Sequence, residues 1–118
     1  MKRTLLKAKI HKARVTEVNL DYEGSLALDG SLMEAAGLIP YEKVHVYNIS
    51  NGERFSTYLI KKEKGSGTVG VFGAAAHKAK EGDLLIIVSY VQLDEGETEF
   101  FMPRIVIMDD NNRIKEIK

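Results

Sequence analysis

Turn signals cut this chain at short intervals: Gly24-Ser25, Asp29-Gly30, Gly37 with Pro40, Asn51-Gly52, Gly65-Ser66-Gly67, Gly82-Asp83, Gly96 and Asp109 to Asn112. Segments of strand character lie between them, and that rhythm predicts an antiparallel barrel or sandwich. Residues 4–10 and 13–18 read as short strands, the second through the alternation of Ala13, Val15 and Glu17 with Arg14, Thr16 and Val18. Residues 44–49 and 54–60 read as a β-hairpin, because Asn51-Gly52 tolerates the positive φ angles that a tight turn demands. That pairing places Arg54, Thr57 and Tyr58 on one strand. Residues 68–72 and 84–93 are further strands, the latter with an apolar centre suited to burial on both faces.

Two short helices are expected. Ser31-Leu-Met-Glu34 has capping-box spacing and Gly37 sits where a helix C-terminal glycine belongs, which predicts a helix over 32–36. Residues 74–80, after Gly73, read as a helical turn or a tight loop. The tail from 105 to 118 reads as a strand, a polar turn at 109–112 and a charged end. The sequence predicts a mainly β fold with short helices, and no domain boundary interrupts it. At 118 residues it is the size of one domain, spanning 1–118, with enough chain to bury a core.

Charge narrows the partners. Seventeen basic residues balance seventeen acidic ones without a block of like charge, so the basic footprint that a nucleic acid or an anionic membrane asks for is missing. Neither partner is expected. The chain has no cysteine, which removes disulfides, zinc thiolates and thiol nucleophiles. The basic N-terminus interrupts its apolar residues with lysine and lacks the core of a signal peptide, and the apolar run at 84–88 is too short to span a bilayer. A soluble, cytoplasmic protein is expected.

Among the chemically capable side chains, His11, His45 and His77 are far apart and show no metal-ligand spacing, so no metal is expected. No serine lies in a G-x-S-x-G elbow, and Gly65-Ser66-Gly67 lacks the spacing and the Lys-Ser/Thr ending of a phosphate loop. Gly24-Ser25 is different. A Gly-Ser pair alone is an ordinary flexible turn. Yet glycine lets a backbone be held in strain, and the serine hydroxyl lies beside the carbonyl on its own N-terminal side. If that carbonyl is polarised, the hydroxyl can attack it and move the acyl group from nitrogen to oxygen.

Four motifs decide between these readings. Lys9-Ile10-His11, Tyr22-Glu-Gly-Ser25, Asn51-Gly-Glu-Arg-Phe-Ser-Thr-Tyr58 and Gly73-Ala-Ala-Ala-His77 occur in the order and spacing of one family. From about Met1 to about Val91, the chain resembles the aspartate 1-decarboxylases, which are pyruvoyl enzymes. The resemblance implies a double-psi β-barrel, a homotetramer with active sites between subunits, and a proenzyme that cuts itself at Gly24-Ser25. The products would be a β chain, 1–24, and an α chain, 25–118, whose Ser25 becomes the covalent pyruvoyl cofactor. L-Aspartate would join it as a Schiff base, lose carbon dioxide and leave as β-alanine, for pantothenate synthesis. The resemblance also gives Thr57 a part in cleavage, Tyr58 the role of proton donor, and Lys9, Arg54, Thr57, Gly73, Ala74 and Ala75 a part in binding substrate. Arginine suits a carboxylate because it can hold it bidentately, with lysine adding a point charge. His11, Tyr22, Phe72 and Ala76 are possible site lining.

Phe72 departs from the family, which commonly has asparagine before G-A-A-A, and Tyr47 stands where tryptophan is frequent. The sequence names no maturation partner. Two other readings stay open: a non-catalytic interaction barrel whose maturation was lost at Phe72, and a pyruvoyl decarboxylase for another acidic amino acid such as glutamate.

Overall fold

Alternating burial along short strands, closed by turn residues, builds most of this molecule. The computed structural model describes residues 1–118. In chain order it contains β1 (Lys2–Arg14), β2 (Glu17–Asn19), β3 (Ser25–Asp29), α1 (Gly30–Ala36), β4 (Lys43–Asn48), β5 (Arg54–Lys62), β6 (Val69–Phe72), a 3-10 turn (Gly73–Lys78), β7 (Leu84–Asp94), a second 3-10 turn (Glu95–Glu97), β8 (Arg104–Met108) and β9 (Ile114–Ile117).

The strands form one sheet in the order β2-β6-β3-β5-β4-β7-β1-β8-β9. It is mixed, and this corrects the antiparallel expectation: β1 with β8, β2 with β6 and β3 with β5 run parallel. The two N-terminal strands also differ from expectation. β1 runs unbroken to Arg14 with bulges near Lys7 and Lys12, the latter at φ 69°, and the alternation over 13–18 breaks at Val15 and Thr16. There the backbone turns away to bond with Asp83 and Val69.

The hairpin between β4 and β5 forms as expected, with Tyr47 opposite Arg54 and Val44 opposite Thr57. Only Gly52 takes a positive φ, 78°, and the loop is longer than a two-residue turn, because Asn48 N–H closes onto Glu53 O at 2.8 Å. Helix α1 ends as the sequence predicts, with Gly37 at φ 72° and Leu38 N–H reaching Met33 O at 2.8 Å. Its N-terminus is capped by Asp29 instead of Ser31, through a 2.8 Å bond from Ser31 N–H to Oδ1, and Glu34 pairs with Lys64. Residues 105–118 become the β8–β9 hairpin, whose β9 is exposed throughout.

The core gathers the inward residues of seven strands, including Ile10, Leu26, Val46, Leu59, Val71, Ile87 and Val106, together with Met33 of α1. All five residues of β3 are buried, so this strand fixes the position of anything attached to it. No helix is long and apolar enough to cross a membrane.

Candidate active site

Ser25 opens β3 opposite Phe72, the last residue of β6. Its side chain is 1% exposed, and its hydroxyl donates one long bond, 3.3 Å, to Glu23 O. Gly73 follows Phe72 at φ 73°, in the left-handed region that favours glycine. A Cβ on Gly73 would lie 2.4 Å from Gly24 Cα and 2.7 Å from Gly24 N, so the two backbones meet at a distance that no other residue permits. The positive φ here belongs to Gly73, whereas a Cβ on Gly24 would meet only Phe72 O, at 3.8 Å.

Phe72 is buried, its ring centroid 4.9 Å from that of Tyr22 and its edge folded back over Gly70. Its backbone carbonyl faces Gly24, while its side chain has no group to donate or accept a hydrogen bond there. In the turn that follows, Ala74 is exposed, Ala75 half-buried and Ala76 buried, and the turn packs on both β5 and β6.

Thr57 and Tyr58 arrive from the neighbouring strand. The parallel ladder of β3 and β5 pairs Leu26 with Leu59, so Ser25 and Tyr58 stand one step earlier on adjacent strands. Thr57 is half-buried and Tyr58 is 38% exposed, and with Lys43 and Ser56 they line a shallow hollow of about 300 Å³. The Tyr58 ring sits 6.3 Å from that of Tyr41. Tyr41 N–H and Glu42 O bond to Leu59 O and N–H at 2.8 and 3.1 Å, which clamps the strand just after Tyr58. Glu42 is itself held by Lys7, Ser89 and Ile39 N–H. Burial raises the Glu42 carboxyl, but these bonds and the Lys7 charge outweigh it and keep the group below its ordinary value.

The cations come from two strands, Lys9 from β1 and Arg54 from the start of β5. Across β5, β4, β7 and β1 the register aligns Arg54, Tyr47, Ile86 and His11 in one row and Ser56, His45, Val88 and Lys9 in the next, so Lys9, His11 and Arg54 share a face. Neither Lys9 nor Arg54 forms an ion pair. His11 Nδ1 is buried without a partner; burial, then the charges of Lys9, Lys12 and Lys118, pull its pKa below the ordinary value. In sheet order β1, which carries Lys9 and His11, is four steps from β3, whereas Arg54 opens β5, the strand beside β3.

The family is decided by the match of the whole chain. A family model described as aspartate decarboxylase matches residues 1–115. The chain belongs to the aspartate decarboxylase family. It is 52% identical to the aspartate 1-decarboxylase of Ralstonia nicotianae over 118 residues, covering 100% of this chain and 98% of that protein. Against the aspartate 1-decarboxylase of Thioalkalivibrio sulfidiphilus it is 57% identical over 111 residues, covering 94% and 88%. The enzyme of the same name from Methylococcus capsulatus is 52% identical over 114 residues, covering 97% and 90%. The mainly β, mixed sheet agrees with the double-psi β-barrel expected of this family.

The largest hollow, about 600 Å³ between Asp29, Gly65 to Gly67 and Asn111 to Ile114, is distant from this constellation. Its central carboxylate, on Asp29, already accepts bonds from Ser31 N–H, Ser31 Oγ, Gly65 N–H and Gly67 N–H, so it acts as a joint between loops. Tyr41, Glu42, Lys43 and Tyr90 border the candidate site without belonging to any motif, and Ser56 lies inside one without a role assigned to it. Alternation along β4, β5 and β7 would have placed Lys43, Ser56 and Tyr90 on the outer face, whereas Tyr41 gave no signal.

Proposed function

We propose that the chain is a proenzyme that cuts its own Gly24-Ser25 bond and then decarboxylates L-aspartate to β-alanine and carbon dioxide, in the cytoplasm, for pantothenate synthesis. The observation that carries this is the contact of Gly73 with Gly24 beside a dry, weakly bonded Ser25 hydroxyl. Such packing holds the backbone at the scissile bond, and burial keeps water from the Ser25 hydroxyl. Attack by Ser25 Oγ on the Gly24 carbonyl moves the acyl group from nitrogen to oxygen. Elimination then releases the Gly24 carboxylate and leaves dehydroalanine at position 25, and addition of water with loss of ammonia leaves the pyruvoyl group. Thr57, half-buried on the neighbouring strand, is the candidate to stabilise the developing oxyanion.

The residues around position 25 suit such a group, because Gly73, Ala74 and Ala75 leave backbone within reach of a ligand. Once formed, the group supplies a ketone conjugated to an amide, an acceptor for the electrons released when a substrate carboxylate departs as carbon dioxide. Tyr58 holds the proton that replaces that carboxylate. Arg54 and Lys9, both free of ion pairs, bind the substrate carboxylates, Arg54 in bidentate fashion. A homotetramer with sites between subunits would bring the face carrying Lys9, His11 and Arg54 on one copy to the Ser25 end of another.

The test is an intact-mass spectrum of the denatured protein, with L-aspartate and L-glutamate assayed side by side. Fragments 1–24 and 25–118, the larger lighter by one ammonia than a serine-started chain, together with β-alanine from aspartate, are expected. A single uncut mass that persists on incubation would overturn the proposal and point to Phe72 as the lost contact.

A further inference from the structure

Arg54 has no carboxylate partner, yet its guanidinium is held. Its Cζ lies 4.3 Å over the centroid of the Tyr47 ring, directly across the β4–β5 ladder. The Tyr47 hydroxyl in turn lies 3.0 Å from that of Tyr90 on β7, and the Tyr90 ring meets His45 edge-on at 5.4 Å and 67°. A line of contacts therefore runs from His45 through Tyr90 and Tyr47 to Arg54, all on the face that carries Lys9 and His11.

We propose that Tyr47 and Tyr90 are a positioning pair that holds Arg54 ready for a substrate carboxylate, Tyr47 through its ring face and Tyr90 by fixing the Tyr47 ring through its hydroxyl. This rests on the reading of Arg54 as a substrate-binding cation. A ring face attracts a cation without neutralising it, whereas a carboxylate neighbour would occupy the same N–H donors that the substrate needs. A long side chain ordered before the substrate arrives also loses less freedom on binding. The hydrogen bond with Tyr47, then burial, raises the Tyr90 phenol above its ordinary value, so the bridge stays protonated throughout the neutral range. Tyr90 is exposed and Tyr47 half-buried, and neither belongs to the core cluster, so substitutions here leave the core intact.

The test combines steady-state decarboxylation of L-aspartate with calorimetric binding of succinate, a dicarboxylate without the reacting amine, on protein whose state of cleavage is checked by mass. Tyr47→Leu is expected to raise both KM and the succinate Kd by about two- to fivefold with kcat retained. Tyr47→Trp, which restores a ring face, is expected to recover most of that affinity. Tyr47→Phe and Tyr90→Phe each remove the same hydroxyl bridge, so each should weaken succinate binding slightly and the double variant no more than either alone. An unchanged succinate Kd in Tyr47→Leu overturns the inference. So does a fall in kcat at constant KM, or full additivity of the two Phe variants. If wild-type protein binds succinate but makes no β-alanine, the activity reading fails while the succinate series still decides this one. Wild-type protein that makes β-alanine but does not bind succinate overturns this inference and leaves the activity reading standing.

Discussion

Ser25 and Asp29 stand at the two ends of β3, 1% and 5% exposed, and their oxygens have opposite surroundings. The Asp29 carboxylate accepts four bonds, three from backbone N–H groups and one from the Ser31 hydroxyl, between 2.6 and 3.0 Å. The Ser25 hydroxyl has a single bond of 3.3 Å, made to the carbonyl two residues back. Burial without bonding is costly for a polar group, so a buried oxygen left this loosely held is one that the fold keeps for another purpose. Asp29 joins α1 to the loop at Gly65 to Gly67, whereas Ser25 is buried with its hydroxyl held by one long bond.

The largest effect is expected from Ser25→Ala. It removes the nucleophile and little volume, so the variant should fold, remain one uncut chain and give no β-alanine. Intact mass and product assay check this, and a cut, active variant would erase the distinction between the two ends. Next is Gly73→Ala, which places a methyl 2.4 Å from Gly24 Cα at a φ of 73°. The left-handed conformation alone costs about 1–2 kcal/mol, and a clash between two backbones cannot relax by rotating a side chain. Cleavage should slow sharply and the urea midpoint should fall. Gly24→Ala sharpens the point, because its Cβ meets only Phe72 O at 3.8 Å. That variant should keep wild-type stability, and equal losses in the two would show that Gly73 has no special place.

How much of this was readable beforehand depended on sequence separation. The β4–β5 hairpin was legible because its turn and both flanks are contiguous, and Gly37 was legible because a helix end needs a local left-handed residue. Parallel pairs such as β3 with β5 leave no local mark, since no tight turn connects them, and so the sheet was expected to be antiparallel. The cap of α1 was assigned to Ser31 because its spacing to Glu34 fits. Asp29 took the role because the amides of Gly65 and Gly67, far along the chain, bond to the same carboxylate. At the candidate site, Ser25, Arg54, Thr57 and Tyr58 came from contiguous motifs, whereas the contact of Gly73 with Gly24 and the bridge from Tyr47 to Tyr90 exist only after long-range pairing.

The smallest effect on cleavage, and the one that probes the other end of β3, belongs to Asp29→Asn. The amide can keep an oxygen at Oδ1 for Ser31 and Gly65, but its nitrogen then faces Gly67 N–H, donor against donor, at a cost of about 1–3 kcal/mol. The cut fragments should still form, because nothing at Ser25 changes. Acid gives a second readout. Burial raises the Asp29 carboxyl, yet the bonds from the Ser31 hydroxyl and from the amides of Gly67, Ser31 and Gly65 outweigh it and hold the pKa below its ordinary value. A folded-state value below the unfolded one contributes stability that is present in full above the unfolded pKa of about 3.9 and is lost as pH falls through the folded value. Wild-type stability should therefore drop in strong acid, and Asp29→Asn should flatten that drop, leaving the share due to Glu42, whose carboxyl is held low by Lys7 and Ser89. Urea unfolding at neutral and acid pH measures both. An acid slope identical in the variant would mean that Asp29 is no more tightly held than the serine at the other end of its strand.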